Sequence, residues 1–135
     1  MKHWLVKSEP VKYSWDKFLK EKSTCWDGVR NYQARNNLRE MKKGDLVLFY
    51  HSNEGMEVVG VARVTKEAYQ DPTTEDTNWC VVDLAPHETL KHPVTLAVIK
   101  NDPMLQNIGL VRQGRLSVMA LKKEEFDRIL ELSEQ

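Results

Sequence analysis

The stretch of residues 26–36, WDGVRNYQARN, carries side chains that together could bind a nucleobase. It holds two aromatic rings, two arginines and two asparagines around one glycine. Aromatic faces can sandwich a planar ring, guanidinium groups can hold a phosphate, and carboxamides can read a base edge. An ordinary local structure also fits, because Asp-Gly is a common turn, Asn31 can cap a helix, and a Trp beside a turn is often core. Taken alone, the stretch slightly favours the ordinary structure.

Two further segments shift the balance towards a binding site. Residues 3–10, HWLVKSEP, start as an apolar strand and lead into Lys7, Ser8 and Glu9 before a proline. Residues 46–53, LVLFYHSN, repeat this plan. The ends of strands are where a rigid scaffold can present groups to a ligand, so we expect these polar clusters to belong to a site.

The three segments closely resemble the EVE domain, a family of the PUA-like superfamily related to the YTH readers of methylated adenine. The resemblance extends to Gly44-Asp45, to Arg112-Gln113 and to residues 115–119, RLSVM, and covers nearly the whole chain. Family members often carry proline where this chain has Ala120, and the linker at residues 71–78 is longer in eukaryotic relatives. Both departures concern loop geometry rather than the expected pocket.

The resemblance implies an α+β, PUA-like fold: a small curled mixed β-barrel of about five to six strands flanked by short helices. It also implies a non-enzymatic module that binds modified DNA by taking up a flipped base of the 5-methylcytosine type, with no cofactor and no metal. The base-binding pocket is expected at Lys7, Ser8, Glu9, Pro10, Trp26, Val29, Asn31, Phe49, Tyr50, His51 and Ser52. Contacts to phosphate or to the wider nucleic acid are expected at Arg30, Tyr32, Arg35, Asn36, Arg112 and Arg115.

Individual side chains suggest how such a pocket would work. Trp26 can stack on a base, together with Phe49 or Tyr50, which point to opposite faces of a strand so that one of them is core. We favour Tyr50 at the edge of the core and leave Phe49 open. Glu9 can accept a hydrogen bond from the exocyclic amine of cytosine but repels a carbonyl edge, which favours an amine-bearing ligand. The other candidate edge readers are Ser8, Asn31, His51 and Ser52.

Other functions remain as alternatives. The chain could be an RNA-binding PUA-like module, since the wider superfamily includes readers of RNA. An enzyme that modifies nucleic acid would need a nucleophile and a base, for which Cys25 and His51 are the candidates, but no third orienting group is evident. Arg112 and Arg115 could equally clamp phosphate or pair with acids at the base of the last helix.

The composition predicts one domain spanning residues 1–135, because 15.7 kDa with 41% hydrophobic residues can build a single core. The 20 basic and 20 acidic residues cancel, which argues against a protein that coats nucleic acid through a large basic surface. The charge is unevenly distributed, however. Residues 1–50 hold 11 basic and 6 acidic residues, whereas residues 51–100 hold 4 basic and 8 acidic residues. The segments that carry the motifs therefore lie in the basic part.

The two cysteines, Cys25 and Cys80, show no metal-binding spacing, and the chain starts without an apolar signal region. We therefore expect a reduced, cytoplasmic setting. No apolar stretch approaches the roughly 20 residues that span a bilayer, so no membrane insertion is expected. No protein partner can be identified from the sequence.

Periodicity predicts the elements of the first half. We expect a strand over about residues 3–7 and a helix capped by Ser14, with Trp15, Phe18 and Leu19 in the core. A second helix, capped by Asn31, should run to about Met41 with Leu38 and Met41 facing inward. Residues 45–51 and 58–64 should form two strands joined by a hairpin turn at residues 53–55.

The second half is predicted to continue the sheet. Residues 71–78 form a loop, and residues 79–84 and 94–99 form two more strands. Asp102-Pro103 opens a short helix that Gly109 breaks. Leu121, Phe126, Ile129 and Leu130 form the apolar stripe of a terminal amphipathic helix.

Overall fold

A mixed six-stranded sheet organises the chain in the computed structural model, which describes residues 1–135. The strands are β1 (His3–Ser8), β2 (Thr24–Cys25), β3 (Leu46–His51), β4 (Glu57–Gln70), β5 (Cys80–Thr95) and β6 (Val118–Leu121). Their order is β2-β5-β4-β3-β1-β6; β1 pairs in parallel with β3, and all other neighbours are antiparallel. The α+β class is confirmed. The sheet stays open, because β2 and β6 lie at opposite edges, so the expected closure into a barrel is absent.

Five short α-helices and one 3-10 turn surround the sheet. They are α1 (Trp15–Glu21), α2 (Tyr32–Glu40), α3 (Leu96–Asn101), the 3-10 turn Pro103–Leu105, α4 (Gly109–Arg112) and α5 (Lys123–Ser133). Ser14 Oγ accepts a hydrogen bond from Lys17 N at 3.1 Å, and Asn31 Oδ1 accepts one from Ala34 N at 2.9 Å. Both predicted helix caps are therefore confirmed.

The parallel pairing of β1 with β3 brings two of the motif segments together. Ser8 lies opposite His51 at the last position of the pairing, and Ser52 N donates to Ser8 O at 2.9 Å. Because parallel strands run in the same direction, both strands end at the same edge of the sheet. The polar residues that follow β1 therefore lie next to those that follow β3, as expected.

A continuous core of 33 buried residues lies between the sheet and the helices. Trp15 and Phe18 from α1, and Leu38 with Met41 at the end of α2, are buried in it as predicted. Leu19 is 40% exposed, so its predicted place in the core was wrong. It follows Phe18 directly, and successive helical residues point in directions about 100° apart, which turns Leu19 away from the sheet.

The two strands predicted at residues 79–84 and 94–99 were only partly right. The region forms one long strand, β5, and residues 96–99 belong to α3 instead. Thr95 ends the strand and caps the helix, since its Oγ1 accepts from Val98 N at 3.2 Å. This capping overrides the strand propensity of the Val- and Ile-containing stretch.

Two expectations near the end of the chain were also wrong. The 3-10 turn begins with Pro103 as predicted but ends at Leu105, and Gly109 begins α4 instead of breaking a helix. Leu121 belongs to β6, not to the last helix, and β6 pairs with β1 through Trp4 and Ala120. The pairing provides hydrogen-bond partners for the backbone of β1 on the side away from β3. It joins residues far apart in sequence, so the local pattern does not reveal it.

Candidate functional site

A cavity of about 760 Å³ opens where β1 and β3 end. Three further parts of the chain complete its wall: the loop before α1, the segment from β2 to Arg30, and the turn before β6. The lining residues are Lys7, Ser8, Glu9, Lys12, Tyr13, Thr24, Cys25, Trp26, Asp27, Gly28, Val29, Arg30, Ser52, Asn53, Gly114 and Ser117. Twelve of the 16 are not hydrophobic, so the wall can make many hydrogen bonds around a small apolar part.

Trp26 is the large apolar side chain in this wall. Its side chain is 9% exposed, and its ring meets Phe49 edge-on at 5.6 Å and Tyr13 edge-on at 6.2 Å between ring centroids. The backbone is fixed as well, because Trp26 N donates to Val82 O at 2.8 Å. Val29 is buried beside it in the same wall. The cavity wall therefore contains a tryptophan fixed by its neighbours and, beside it, a buried valine.

Phe49 lies behind this wall, and neither Phe49 nor Tyr50 lines the cavity. Phe49 is 0% exposed and packs edge-on against Trp15 and stacks on Phe18 at 5.5 Å. Tyr50, on the other face of β3, is 2% exposed, and burial raises the pKa of its hydroxyl. Trp26 is thus the one member of the expected stacking trio that lines the cavity.

Glu9 lies in the cavity wall with both carboxylate oxygens engaged. Asn53 Nδ2 donates to its Oε1 at 2.6 Å, and Lys12 Nζ lies 3.2 Å from its Oε2. The side chain remains 33% exposed, so each oxygen keeps a lone pair that a ligand can use. Asn53 and Lys12 therefore hold Glu9 in place without covering it.

Ser8, Ser52 and Lys7 complete the strand-end side of the cavity. Ser8 Oγ donates to Tyr13 O at 2.5 Å, which leaves its lone pairs free to accept. Lys7 Nζ donates to Gly114 O at 2.8 Å, and burial lowers the pKa of this ammonium group. No acidic side chain forms an ion pair with Lys7. This side of the cavity thus offers one cationic donor and two hydroxyls.

Three residues expected in the pocket have other positions. His51 Nε2 accepts from Trp15 N at 3.0 Å, which places the imidazole at the start of α1. Burial lowers the pKa of His51 despite the nearby Glu57 and Asp16 carboxylates, and this favours the neutral ring that can accept that bond. Asn31 is committed to capping α2. Pro10 follows Glu9 in the chain but is not part of the wall.

Asp71 clamps the loop that carries Trp26. Its Oδ2 accepts from Gly28 N at 3.2 Å and from Arg30 Nη1 at 2.9 Å, and its Oδ1 accepts from Thr73 N at 2.7 Å. Gly28 adopts a φ of 76°, which suits glycine and lets its N–H face the carboxylate. Burial opposes ionisation of Asp71, but the bonds from Thr73, Arg30 and Gly28 outweigh it and lower the pKa to about 2.

The residues expected to contact phosphate separate into two groups. Arg30, Tyr32, Arg35 and Asn36 lie together around the start of α2, and Arg30 also lines the cavity. Arg112 instead donates to Gln106 O and Asn107 Oδ1, at 2.9 and 3.0 Å, and forms no ion pair with an acid. Arg115 is exposed and does not line the cavity. The arginine that pairs with an acid next to the last helix is Arg128, in the middle of α5, whose Nε lies 2.8 Å from Asp102 Oδ2.

The sequence analysis did not identify several residues of the wall. Tyr13, Asn53 and Gly28 are next to predicted elements, so the strand-end and turn signals could have included them. Gly114 and Ser117 reach the cavity because β6 pairs with β1 and Lys7 N donates to Ser117 O at 2.9 Å. That contact depends on a strand that the local pattern did not predict. The other lining residues outside the expected pocket are Lys12, Thr24, Cys25, which was considered only as a candidate nucleophile, and Asp27, which belongs to the stretch 26–36.

Nothing in the structure groups three or more His, Cys, Asp or Glu side chains in a way that could hold a metal ion. None of its helices has the length and apolar character needed to cross a membrane.

Asp71→Asn is expected to lower the free energy of unfolding at neutral pH by about 2 kcal/mol, because a folded-state pKa of about 2 means that the surrounding hydrogen bonds stabilise the charged carboxylate. Since the folded pKa lies below the unfolded one, the stabilisation is present above about pH 4 and is lost as the pH falls towards about 2. Urea unfolding of both proteins across this range measures the difference. Glu75→Gln, an exposed change on the same loop, is the control and should show little effect. A constant difference down to about pH 2 would contradict the assignment.

A mixed open six-stranded sheet flanked by short helices, with a polar cavity where β1 and β3 end, is a PUA-like fold. The chain belongs to the EVE domain family, whose sequence profile matches residues 2–132. This confirms the family that the sequence motifs indicated.

Relatives of known structure share the fold closely. A crystal structure of a protein from Agrobacterium tumefaciens is 42% identical with a TM-score of 0.96, over 98% of this chain and 93% of that one. The human THYN1 protein, in a crystal structure in complex with 5-methylcytosine-containing DNA, is 36% identical with a TM-score of 0.92, over 100% of this chain and 99% of that one. Human thymocyte nuclear protein 1 aligns by sequence at 38% identity, over 98% of this chain and 74% of its own length.

The ASCH protein from Zymomonas mobilis is a more distant neighbour. It is 14% identical with a TM-score of 0.62, over 97% of this chain and 95% of that one. At this identity the likeness concerns the fold alone. Together with the EVE relatives it confirms the PUA-like fold class.

Proposed function

We propose that this protein is a non-enzymatic DNA-binding module that takes a flipped base of the 5-methylcytosine type into the cavity beside Trp26. The observation that carries the proposal is the position of this cavity, with Trp26 and Glu9 in its wall, in a fold that matches the human THYN1 protein bound to 5-methylcytosine-containing DNA. A volume of about 760 Å³ lies within the usual range of ligand cavities.

Glu9 is the reason that we propose a cytosine-type base as the ligand. A carboxylate accepts a hydrogen bond from the exocyclic amine of cytosine, whereas thymine presents a carbonyl oxygen at the same place. The hydrogen bond from Asn53 orients the carboxylate, so less side-chain freedom is lost when it meets a base. Each hydrogen bond to a charged acceptor contributes roughly 1.5 to 3 kcal/mol.

The methyl group is recognised by burial. Trp26 and Val29 provide apolar surface next to polar groups, and one buried methyl contributes about 0.8 kcal/mol, or roughly a fourfold gain in affinity. Discrimination between cytosine and 5-methylcytosine by this term alone is modest. We therefore expect a measurable preference and not an absolute one.

The side chains of the cavity also support binding over catalysis. Cys25 lines the wall, but burial and the nearby Asp27, Asp83 and Asp71 carboxylates raise the pKa of its thiol, which keeps it in the poorly nucleophilic form. His51 uses Nε2 to accept from Trp15 N and does not line the cavity. A nucleophile next to a general base, which covalent catalysis needs, is therefore not formed by this pair.

Direct titration tests the proposal. Fluorescence anisotropy would compare duplexes that differ only in one cytosine, 5-methylcytosine, thymine or adenine, with a matched RNA duplex beside them. The expected order is 5-methylcytosine, then cytosine, then thymine; adenine also carries an exocyclic amine, so its affinity shows how much the size of the base contributes. Equal affinity for all DNA duplexes would overturn base recognition, and a preference for RNA would assign the protein to RNA instead.

Glu9→Gln should remove the preference for cytosine-type bases over thymine, because a carboxamide can turn either its oxygen or its NH₂ group towards the base. The expected loss of affinity for the methylated duplex is about tenfold or more, equivalent to roughly 1.5 kcal/mol. Glu88→Gln, an exposed change of the same type on β5, should leave affinity unchanged. Unchanged selectivity in Glu9→Gln would rule out Glu9 as the reader of the amine.

A further inference from the structure

Four side chains form a stacked column on the surface beside the cavity. The rings of Tyr32 and Trp79 stack with centroids 5.1 Å apart and an interplanar angle of 29°. The Arg30 guanidinium lies 5.5 Å from the Trp79 ring centroid, and the Arg35 guanidinium lies 4.8 Å from the Tyr32 ring centroid. We call this set the surface column: two stacked rings with an arginine at each end.

The surface column is continuous with the cavity and open to solvent. Arg30 both lines the cavity and lies against Trp79. Tyr32, the first residue of α2, is 59% exposed although its ring is stacked. Aromatic rings next to arginines are the side chains on which nucleic-acid bases stack and to which phosphates bind. A strand that delivers a base into the cavity would pass over or beside this column.

The loop between β4 and β5 holds the column together. Asp71 at its start pairs with Arg30 at 2.9 Å, and Asn78 at its end offers its carbonyl oxygen to Arg35 Nη1 at 3.3 Å. Asp76 Oδ1 accepts from Asn78 N at 2.9 Å and shapes the last turn before Trp79. The carboxylates of Asp71 and Asp76 are thus engaged within the loop or by Arg30. The arrangement places Trp79 against α2 before any ligand arrives.

The two ends of the column differ in charge. Arg30 is balanced by the buried carboxylate of Asp71. Arg35 has neutral acceptors only: its Nε and Nη2 donate to Asn36 Oδ1 at 3.1 and 2.8 Å, and its Nη1 to the Asn78 carbonyl. A guanidinium fixed by neutral groups keeps its full positive charge and is already positioned for an anion. The Arg35 end therefore favours a phosphate.

We propose that the surface column is a second nucleic-acid contact, outside the cavity, in which Arg35 binds a backbone phosphate flanking the captured base. Trp79 acts as a positioning residue, because it supports the Tyr32 ring on which the Arg35 guanidinium rests. The proposal rests on the proposed function, since it concerns the strand that delivers the base. It assigns to Trp79 and the loop before it a role in affinity but not in the choice of base.

Two probes separate the column from the cavity. The free nucleoside 5-methyl-2′-deoxycytidine fills the cavity without any flanking phosphate, whereas a methylated duplex can use both surfaces. The variants are Trp79→Leu, Tyr32→Ala and Arg35→Gln, with Arg63→Gln as the control. Arg63 is exposed on β4 opposite Leu46, the first residue of β3, and so lies at the far end of that strand from the cavity.

The column variants should lose at least fivefold in affinity for methylated and unmethylated duplexes alike, while nucleoside affinity stays within twofold of the wild type. Arg35→Gln should also lower the slope of log affinity against log salt by about one, the value expected for one lost phosphate contact. Arg63→Gln should change neither quantity. Tyr32→Ala and Arg35→Gln alter exposed or half-exposed side chains, so they decide the matter even if Trp79→Leu fails to fold.

Unchanged duplex affinity in Tyr32→Ala and Arg35→Gln would overturn the column proposal, as would an equal loss for duplex and nucleoside. The proposed function is judged separately on the wild-type protein. A wild type without preference for the methylated duplex would refute base recognition, and the salt slope of Arg35→Gln would still report on the column.

Discussion

Replacing Trp26 with alanine is expected to abolish the preference for methylated DNA and to lower the free energy of unfolding by about 3 kcal/mol. The first effect follows because, in the proposed complex, Trp26 supplies both the stacking face, which contributes roughly 1 to 3 kcal/mol, and the apolar surface against which the methyl group is buried. The second follows because the ring is 9% exposed and packs against Phe49 and Tyr13, so its removal opens a hole in the core. Anisotropy titrations and urea unfolding measure the two effects.

Two further variants separate the loss of binding from the loss of stability. Trp26→Phe keeps an aromatic face and should retain part of the affinity. Phe18→Leu removes a fully buried ring that does not line the cavity, so it should lower stability but leave the affinity of the folded protein unchanged. Full affinity in Trp26→Ala, at a temperature where it is folded, would show that the base lies elsewhere.

Replacing Gly60 with alanine is expected to give the largest loss of stability among conservative changes in the sheet. A Cβ at Gly60 would lie 2.3 Å from Trp15 Cζ2 and 2.5 Å from Cε2, well inside van der Waals contact. The Trp15 ring cannot move away easily, because it is 4% exposed, meets Phe49 edge-on at 5.2 Å, and donates through Nε1 to Thr89 Oγ1 at 2.9 Å. We expect a loss of about 3 kcal/mol, or a fall in Tm of roughly 10 °C.

Thermal unfolding followed by circular dichroism measures this change. Gly114→Ala is the matched control, since a Cβ at Gly114 would meet no atom within 4 Å and its φ is not positive. Its Tm should stay within about 2 °C of the wild type. A Gly60→Ala protein as stable as the control would contradict the packing of α1 on the sheet through Trp15.

Local signals predicted the parts of the fold that depend on near neighbours. Ser14 and Asn31 cap their helices because each side chain reaches a backbone N–H three residues ahead. The strands at His3–Ser8 and Leu46–His51 lie close to their predicted bounds because apolar runs end at polar clusters. These features need no knowledge of the rest of the chain.

The errors occur where distant contacts decide. Residues 96–99 look like a strand, but the end of β5 at Thr95 provides a cap and they form a helix. Leu121 fits the apolar stripe of a helix, but it belongs to β6 because it pairs with His3 of β1. Propensity is a weak prior at such positions, and tertiary pairing overrides it.

The residues of the candidate site also fall into two groups: those placed by local structure and those placed by distant contacts. Glu9, Trp26 and Ser52 line the cavity because strand ends and turns present them directly. Asp71 and Trp79 lie in a loop that is distant in sequence from the residues they support. Asp71 is 43 residues from Gly28 and 41 residues from Arg30. Their positions depend on the pairing of β4 with β5, which a single sequence does not specify.

The most direct test asks where the methyl group lies in the complex. A duplex whose single 5-methylcytosine carries an isotope-labelled methyl would be titrated with the protein and followed by NMR. The account predicts an upfield ring-current shift of that methyl and nuclear Overhauser contacts to ring protons of Trp26. A methyl signal that keeps its contacts to stacked neighbouring bases, while the protein is fully bound, would contradict it.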